Sequence, residues 1–558
     1  VEGQVQAEQA DAGGADADGA GCRCVHIFRS SCGVRFGRAG RRILREKNRT
    51  TGIVNIMNQG KNCNKKLAYA GIAALLGDEL LDRLRLIGGA EQVPLYLTGG
   101  TVRDLVMDRR PADIDLTVPA GGRRWAAALS RLTNGSYVPL GKEEDAARVV
   151  WQGRDIDFSS FREGAQILEQ ELRRRDITVN SMAVALDPLL YGRGDNKVEI
   201  VDPADGLADI NARLIRATFV NAFRSDPLRL LRVYRFAAVL DFRVEAETTA
   251  LVNRQKELIS RVATERVAHE LDLIMGSGRA FEEVAAMAAS GLLFEVIAEL
   301  RAGVGMAQPS SHHLDVFAHS LETLHWMQRI QEEPARYFPD NAEVLAAYLA
   351  AGRNRIRLRW AALLHDLGKP VTMTILEDRD GRITFYNHDQ AGASLVAEVG
   401  RRLRWSGEDI AAVAGLVGLH MRPFHLGNVL RQQGELSLKA CLRLVRSVGS
   451  ALPGLFLLSM ADALAGQGEG RPAEVEKEVA ALFARMEKVR REHVEPVRNM
   501  PPLITGRDLI DELGLEPGPV FREVLELVEE AQMEGNVASR REALSLARRH
   551  LASQRPEG

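Results

Sequence analysis

The chain has 558 residues, which at roughly 100–200 residues per domain predicts three or four domains. Its formal charge of −2 excludes a globally basic nucleic-acid binder, so a nucleic-acid partner, if there is one, has to meet local basic patches. Five cysteines are too few for a disulfide framework, and no uninterrupted apolar run approaches the ~18 residues of a membrane-spanning helix.

Residues 1–60 differ from the rest. The first twenty are mostly Ala, Gly, Asp, Glu and Gln and cannot bury enough surface to offset their chain entropy. An Arg-rich stretch follows, with Cys22, Cys24, Cys32 and His26 at a spacing that does not fit a zinc finger. This segment reads as a disordered or non-native extension, with Met57 as a candidate initiator. Only Cys63 and Cys441 remain for the folded body, pointing to a reducing, cytoplasmic compartment.

Residues 65–90 read as helix. From 93 to 160, short β-like runs (Val93–Leu97, Ile114–Val118, Arg148–Trp151, Ile156–Phe158) alternate with helical pieces. From about 206 onward the periodicity is helical with few strand candidates. The predicted class is α+β: a small α/β head (61–205), a helical neck (206–305), a second helical domain (306–480) and a helical tail (481–558).

The richest stretch is Leu97-Thr98-Gly99-Gly100-Thr101-Val102-Arg103-Asp104, followed by Asp113-Ile114-Asp115-Leu116. On a strand, Asp113 and Asp115 share a face while Ile114 points to the core. Two adjacent carboxylates repel unless a cation sits between them, and carboxylates plus substrate phosphates suit Mg²⁺. Gly99 and Gly100, after a strand and before a helix expected near Val102, let backbone N–H groups approach a phosphate. Asp157 in a later strand is the candidate third carboxylate; its alternative is a surface charge. Arg173-Arg174-Arg175 ahead of an expected helix reads as a triphosphate clamp or a solvated basic face. Ser225-Asp226-Pro227 opens an expected helix with Arg229, Arg232 and Arg235 on one slowly rotating stripe.

Gly-Gly-x-Val-Arg-Asp, Asp-Ile-Asp, Arg-Arg-Asp-Ile-Thr-Val-Asn and Asp-Pro-Leu-Arg-Leu-Leu-Arg-x-x-Arg-Phe, in this order, resemble the class II tRNA nucleotidyltransferase/poly(A) polymerase family. Glu265-Arg266 is similar to that family's next motif. The resemblance covers about 95–300. It implies a polymerase beta-like head and template-independent addition of C and/or A from CTP and ATP to an RNA 3′ end. By the same resemblance Asp113 and Asp115 hold Mg²⁺ with Asp157 as third carboxylate. Gly99, Gly100, Arg103 and Arg175 surround the triphosphate. Asp226 and Arg229 template the base, with Arg232 nearby in the nucleotide site and Arg235 toward RNA. The family usually has Glu where this chain has Ser225. Pro139–Asp145 lacks the basic, Phe-containing pattern of bacterial poly(A) polymerases, which favours tRNA end synthesis over polyadenylation.

A second constellation follows. His319 lies on a helix after His312-His313. His365-Asp366 ends a Leu-Leu run, with Lys369 three residues on. His388, His420 and Asp462 sit in apolar helical contexts. A single such histidine is ordinary core. Together, His319, His365, Asp366 and Asp462 resemble the ligand set of the HD phosphohydrolase superfamily, with His388 and His420 as ligands for a second ion. Mixed His/Asp ligation suits a divalent transition metal or Mg²⁺ more than a closed structural zinc. The alternative is a degenerate HD fold that only supports RNA.

The tail, around Thr505-Gly506-Arg507-Asp508, resembles the C-terminal segment of HD-containing members. It reads as a tRNA contact through Arg507 and a basic face (Arg540, Arg541, Arg548, Arg549), or as an ordinary amphipathic helix. The expected partners are tRNA, ATP and CTP, with no membrane; oligomeric state is left open. The competing functions are poly(A) polymerase and an HD phosphohydrolase with a merely nucleotide-binding head.

Overall fold

The structure, a computed structural model, describes residues 67–89, 92–141, 145–162, 164–192, 198–377 and 381–553. The N-terminal extension with its cysteines, His26 and Met57, and the segment 142–144, lie outside the described residues.

The predicted first helix is two, Tyr69–Leu76 and Asp78–Gly88, because Gly77 between them sits at φ 79°. The head sheet comprises β1 (Tyr96–Thr98), β2 (Asp113–Val118), β3 (Ser136–Pro139), β4 (Ala146–Trp151), β5 (Arg154–Ser160), β6 (Ala183–Ala185) and β7 (Ile200–Val201), in the order β3-β4-β5-β2-β1-β6-β7. Only β2 and β5 pair in parallel within it, with Asp113 opposite Asp155 and Asp115 opposite Asp157. The period of two then separates the faces. Ile114, Leu116, Ile156 and Phe158 enter the head core with Val149, Trp125 and Leu129, and the four aspartates stand on the other side. The helix after β1 starts at Gly99, three residues earlier than the motif suggests, and runs to Val106. Gly99 adopts φ 64°, where a Cβ would lie 2.8 Å from Asp115 Oδ2.

Two further expectations change in detail. The helix Leu168–Arg173 ends before Arg174 and Arg175, and only a short 3₁₀ turn, Thr178–Asn180, follows. The three arginines therefore do not lead into a helix. The helix expected from Ser225 is interrupted. A short turn, Ala222–Ser225, ends at Asp226, which is extended as a residue before proline tends to be, and the long helix spans Arg229–Leu240.

One buried apolar cluster runs without a break from Ile177 through the neck to Met533, so neck and second helical region share a core. The tail from Ile504 to Ala547 has its own small core. Among the described residues, Leu438–Ala465 is one helical stretch long and apolar enough to cross a membrane by length and composition. It consists of the helices Leu438–Val448 and Leu452–Ala465 joined by a 3₁₀ turn, so the count of unbroken apolar residues underrated it. Leu452 to Ala463 is continuously buried in the shared core, which accounts for its apolar character.

Candidate catalytic and metal sites

In the head, Asp113, Asp115 and Asp157 offer carboxylate oxygens within 4.8 Å of one another. Thr101 ties the helix to the strand: its Oγ1 donates to the Asp113 carbonyl and accepts from the Asp115 amide at 2.7 Å. Gly100 N–H donates to Asp115 Oδ2 at 2.9 Å. Burial and the neighbouring carboxylates, Asp113 first, push the Asp115 pKa up to about 6 against the opposing pull of Arg175. Burial and Asp157 likewise raise that of Asp113. Such crowding is relieved when a divalent cation joins the cluster, so the donor set fits the expected metal.

Arg175 is buried beneath Gly99 and donates from Nη2 to Thr98 and Thr117 at 3.1 and 3.0 Å. Glu171, fully buried, lies 3.5 Å from its Nε. Of the three predicted clamp arginines only Arg175 enters the site. Arg173 is exposed and Arg174 donates to the Arg162 carbonyl. Arg103 is not turned to solvent either: it donates to Asn180 Oδ1 at 2.7 Å and pairs with Asp104.

A cavity of about 790 Å³ opens over this face. Gly99, Gly100, Asp115, Asp157 and Arg175 line one side; Asp226, Arg229, Arg232 and Arg266 line another. Arg229 donates to Ser225 Oγ at 3.2 Å and to the Ala222 carbonyl. Asp226 lies 3.6 Å from Arg266. Arg232 forks onto Asp176 Oδ2 at 2.9 and 2.7 Å, holding that buried carboxyl well below the usual range against the opposing effect of its burial. Arg235, the expected RNA contact, is instead directed inward. Its Nε donates to Glu270 at 2.8 Å and its guanidinium lies 3.6 Å over the Phe236 ring. Arg232 also reaches Glu270, at 3.8 Å, so the two arginines share one stripe as the spacing predicts.

The second constellation gathers from separate helices. His319 comes from Val316–Glu332, His365 and Asp366 follow Asn354–Leu364, and His388 begins His388–Arg402. His420 follows Gly407–Leu419, and Asp462 lies on Leu452–Ala465. His365, His388 and His420 each donate Nδ1–H to the carbonyl three residues earlier, Ala362, Phe385 and Val417, at 2.7–3.0 Å. That fixes the proton on Nδ1 and leaves Nε2 as a lone-pair donor. Two of these nitrogens, on His388 and His420, face each other at 3.2 Å. His365 Nε2 is buried with no hydrogen-bond partner. Converging buried lone pairs of this kind are the fit expected of a cation site.

Asp366 joins the two halves of the cluster. Its Oδ2 lies 3.2 Å from His365 Nε2 and 3.8 Å from His319 Nε2; its Oδ1 lies 3.5 and 3.9 Å from His388 and His420. Asp462 Oδ1 is 3.0 Å from His319 Nε2. Burial, reinforced by His365 and His388, lowers the His420 pKa to about 4 and so keeps it an unprotonated ligand. Burial also resists charge on His365, but Asp366 outweighs it and raises that pKa.

Three neighbours of these sites had no role assigned from sequence. Lys369 Nζ donates to Asp366 Oδ2 and Gln308 Oε1, both at 2.6 Å. His312 packs edge-on to His319 with ring centroids 4.6 Å apart. Arg148, from β4, lies against Asp155 and Asp157. Lys369 follows Asp366 at i+3, a signal available in the sequence. In the tail, Arg507 is 89% exposed and lies 3.5 Å from Asp511 on its own helix, with no link to either cluster.

A carboxylate triad on a mixed sheet, a glycine-opened helix beside it and a helical body carrying a His/Asp cluster define a nucleotidyltransferase joined to an HD domain. Residues 95–216 match the Poly A polymerase head domain family and 241–302 the RNA- and SrmB-binding segment of polymerase A. Residues 316–465 match the HD domain and 480–547 the tRNA nucleotidyltransferase domain 2 family. The A-adding tRNA nucleotidyltransferase of Deinococcus radiodurans is 34% identical over 81% of this chain and 94% of its own length. The CC-adding tRNA nucleotidyltransferase of Thermus thermophilus is 30% identical over 80% and 92%. The Thermotoga maritima CCA-adding enzyme solved with tRNA shares the fold with a TM-score of 0.55, at 20% identity over 86% of this chain and 98% of that one. The chain belongs to the tRNA nucleotidyltransferase family and is an enzyme of the nucleotidyltransferase class.

Proposed function

We propose that this chain adds C and/or A to the 3′ end of tRNA from CTP and ATP in the cytoplasm, and that its HD domain is a separate metal-dependent phosphohydrolase. The observation that carries the first part is the register of β2 and β5, which sets Asp115 beside Asp157 under the 790 Å³ cavity shared with Asp226 and Arg229.

In this reading Asp113, Asp115 and Asp157 would hold Mg²⁺, which would supply Lewis-acid activation of the RNA 3′-hydroxyl and charge compensation for the pyrophosphate. The chain's own groups orient the substrates. Gly99 and Gly100 let the triphosphate approach the backbone, and buried Arg175 supplies positive potential from below. Arg232, held by Asp176, stands on the same wall. Asp226 accepts from an exocyclic amine and Arg229 donates to a ring acceptor, a pair of functions that cytosine and adenine both offer. Arg103 acts at one remove, by fixing Asn180.

At the HD site, His319, His365, Asp366 and Asp462 would hold one divalent ion, and His388 and His420 would be ligands for a second. A divalent ion held there would supply Lewis-acid activation of water for phosphate-ester hydrolysis. A cavity of about 680 Å³ reaches this cluster and is lined by His312, Tyr386, Phe424, Arg422 and Arg382, which suits an anionic substrate with an aromatic part.

The test supplies purified protein, Mg²⁺ and tRNAs ending before CCA, after C and after CC, with ATP and CTP separately and together, and sequences the 3′ ends. Addition that stops within CCA is expected, and the three substrates report which steps are performed. Long A tracts on any RNA would make the enzyme a poly(A) polymerase. No incorporation would demote the head to a binding module.

A further inference from the structure

The β4–β5 hairpin brings a cation onto the carboxylate face. Gln152 and Gly153 form its two-residue turn, both at positive φ, 50° and 70°. That turn pairs Trp151 with Arg154 and so sets Arg148 opposite Asp157. Arg148 Nε donates to Asp157 Oδ1 at 2.7 Å and Nη2 to Oδ2 at 2.8 Å, a bidentate fork. Its Nη1 donates to Asp155 Oδ2 at 2.6 Å, and Nη2 lies 3.7 Å from Asp113 Oδ2. One guanidinium thus touches three of the four aspartates on this face, two of them assigned to the metal. The fourth, Asp115, is served by Gly100 and lies against Arg175.

We infer that Arg148 is a positioning residue that competes with the divalent ion for Asp157 and Asp113, so that the head binds metal weakly by itself and loads it together with the nucleotide. The inference rests on the metal-dependent reading of the head. Its physical basis is charge. A fixed cation whose nitrogens lie 2.7–3.7 Å from ligand oxygens repels a dication and already engages both oxygens of one ligand. A metal arriving on a triphosphate brings negative charge that offsets this repulsion. By linkage, whatever factor the nucleotide contributes to metal affinity, the metal contributes to nucleotide affinity.

The test is a Mn²⁺ titration followed by electron paramagnetic resonance, with and without CTP, on the full chain and on Arg148→Gln, Arg148→Ala and Arg148→Lys. Asp115→Asn protein supplies the HD-site background. Arg148→Gln keeps a hydrogen-bond donor for Asp157 but removes the charge; Arg148→Lys keeps the charge but loses the fork. Without CTP, Arg148→Gln and Arg148→Ala are expected to bind Mn²⁺ about tenfold more tightly, and the CTP-induced gain shrinks by the same factor. Arg148→Lys stays within about threefold of the parent, because the coupling follows charge. Unchanged or weaker binding in Arg148→Gln overturns the inference, and that variant decides the matter should Arg148→Ala fold poorly. A parent protein that binds no Mn²⁺ above background even with CTP instead overturns the metal-dependent reading of the head.

Discussion

The head and the HD region each concentrate metal-ligating side chains, but they build them from opposite materials. The head uses carboxylates on adjacent strands: Asp115 and Asp157 line the cavity above, and Asp113 stands within 4.8 Å of both. The HD region uses histidines at helix ends, and every one of His319, His365, Asp366, His388 and His420 is buried. A strand places ligands by alternation, so two residues two apart suffice. A helix end places them by capping. Its last carbonyls lack the N–H four residues on, and His365 and His420 donate to one of these with Nδ1, which aims Nε2 inward. Open hard oxygens suit a metal that arrives and leaves with substrate, whereas buried nitrogens suit a resident ion.

The sharpest way to break this contrast is to remove one ligand on each side. Asp115→Ala is expected to lower nucleotide incorporation by about 10³-fold or more while HD phosphoesterase activity persists. Joint loss of both activities would mean a folding defect or a shared site. His388→Ala should reduce the metal content measured by mass spectrometry by one ion per chain, lower phosphoesterase activity by about 100-fold, and leave nucleotide incorporation intact.

Smaller effects sharpen the comparison. Gly99→Ala forces a side chain into the left-handed region against Asp115 and Arg175, so it should cost about 1–3 kcal/mol in denaturant unfolding and depress incorporation. The head should also be sensitive to acid. Asp115 titrates near 6, so Mn²⁺ affinity at the head is expected to fall by up to about tenfold per pH unit below that value. The sign for stability is opposite. The raised pKa means that the folded head binds the proton more tightly than the unfolded chain. The resulting stabilisation is present below the ordinary value of 3.8 and is lost as pH rises through about 6. Asp115→Asn should remove that slope from pH-dependent melting. Least of all, Arg507→Ala should change stability by less than about 0.5 kcal/mol and reduce the salt dependence of tRNA binding by less than about one unit of slope.

The sequence by itself determined the features that depend on short-range periodicity. Asp113 and Asp115 share a face because they are two apart on a strand, and Gly99-Gly100 opens a helix because only glycine tolerates that turn beside a carboxylate. The ligand types of the HD cluster were also visible as residue identities, and the order of motifs pointed to the family. Even the Arg148–Asp157 pairing was implicit in the two-residue Gln152-Gly153 turn, although nothing in the pattern drew attention to it. Only the tertiary structure decided which arginines line the head cavity. Arg175, Arg229 and Arg232 line the cavity, whereas Arg235 is held inward by Glu270 and Arg103 by Asn180. It also decided that Asp366 turns one oxygen to His319 and His365 and the other to His388 and His420. Those outcomes depend on helix rotation and on contacts between residues tens to more than a hundred positions apart, which packing of the shared core settles and local spacing does not encode.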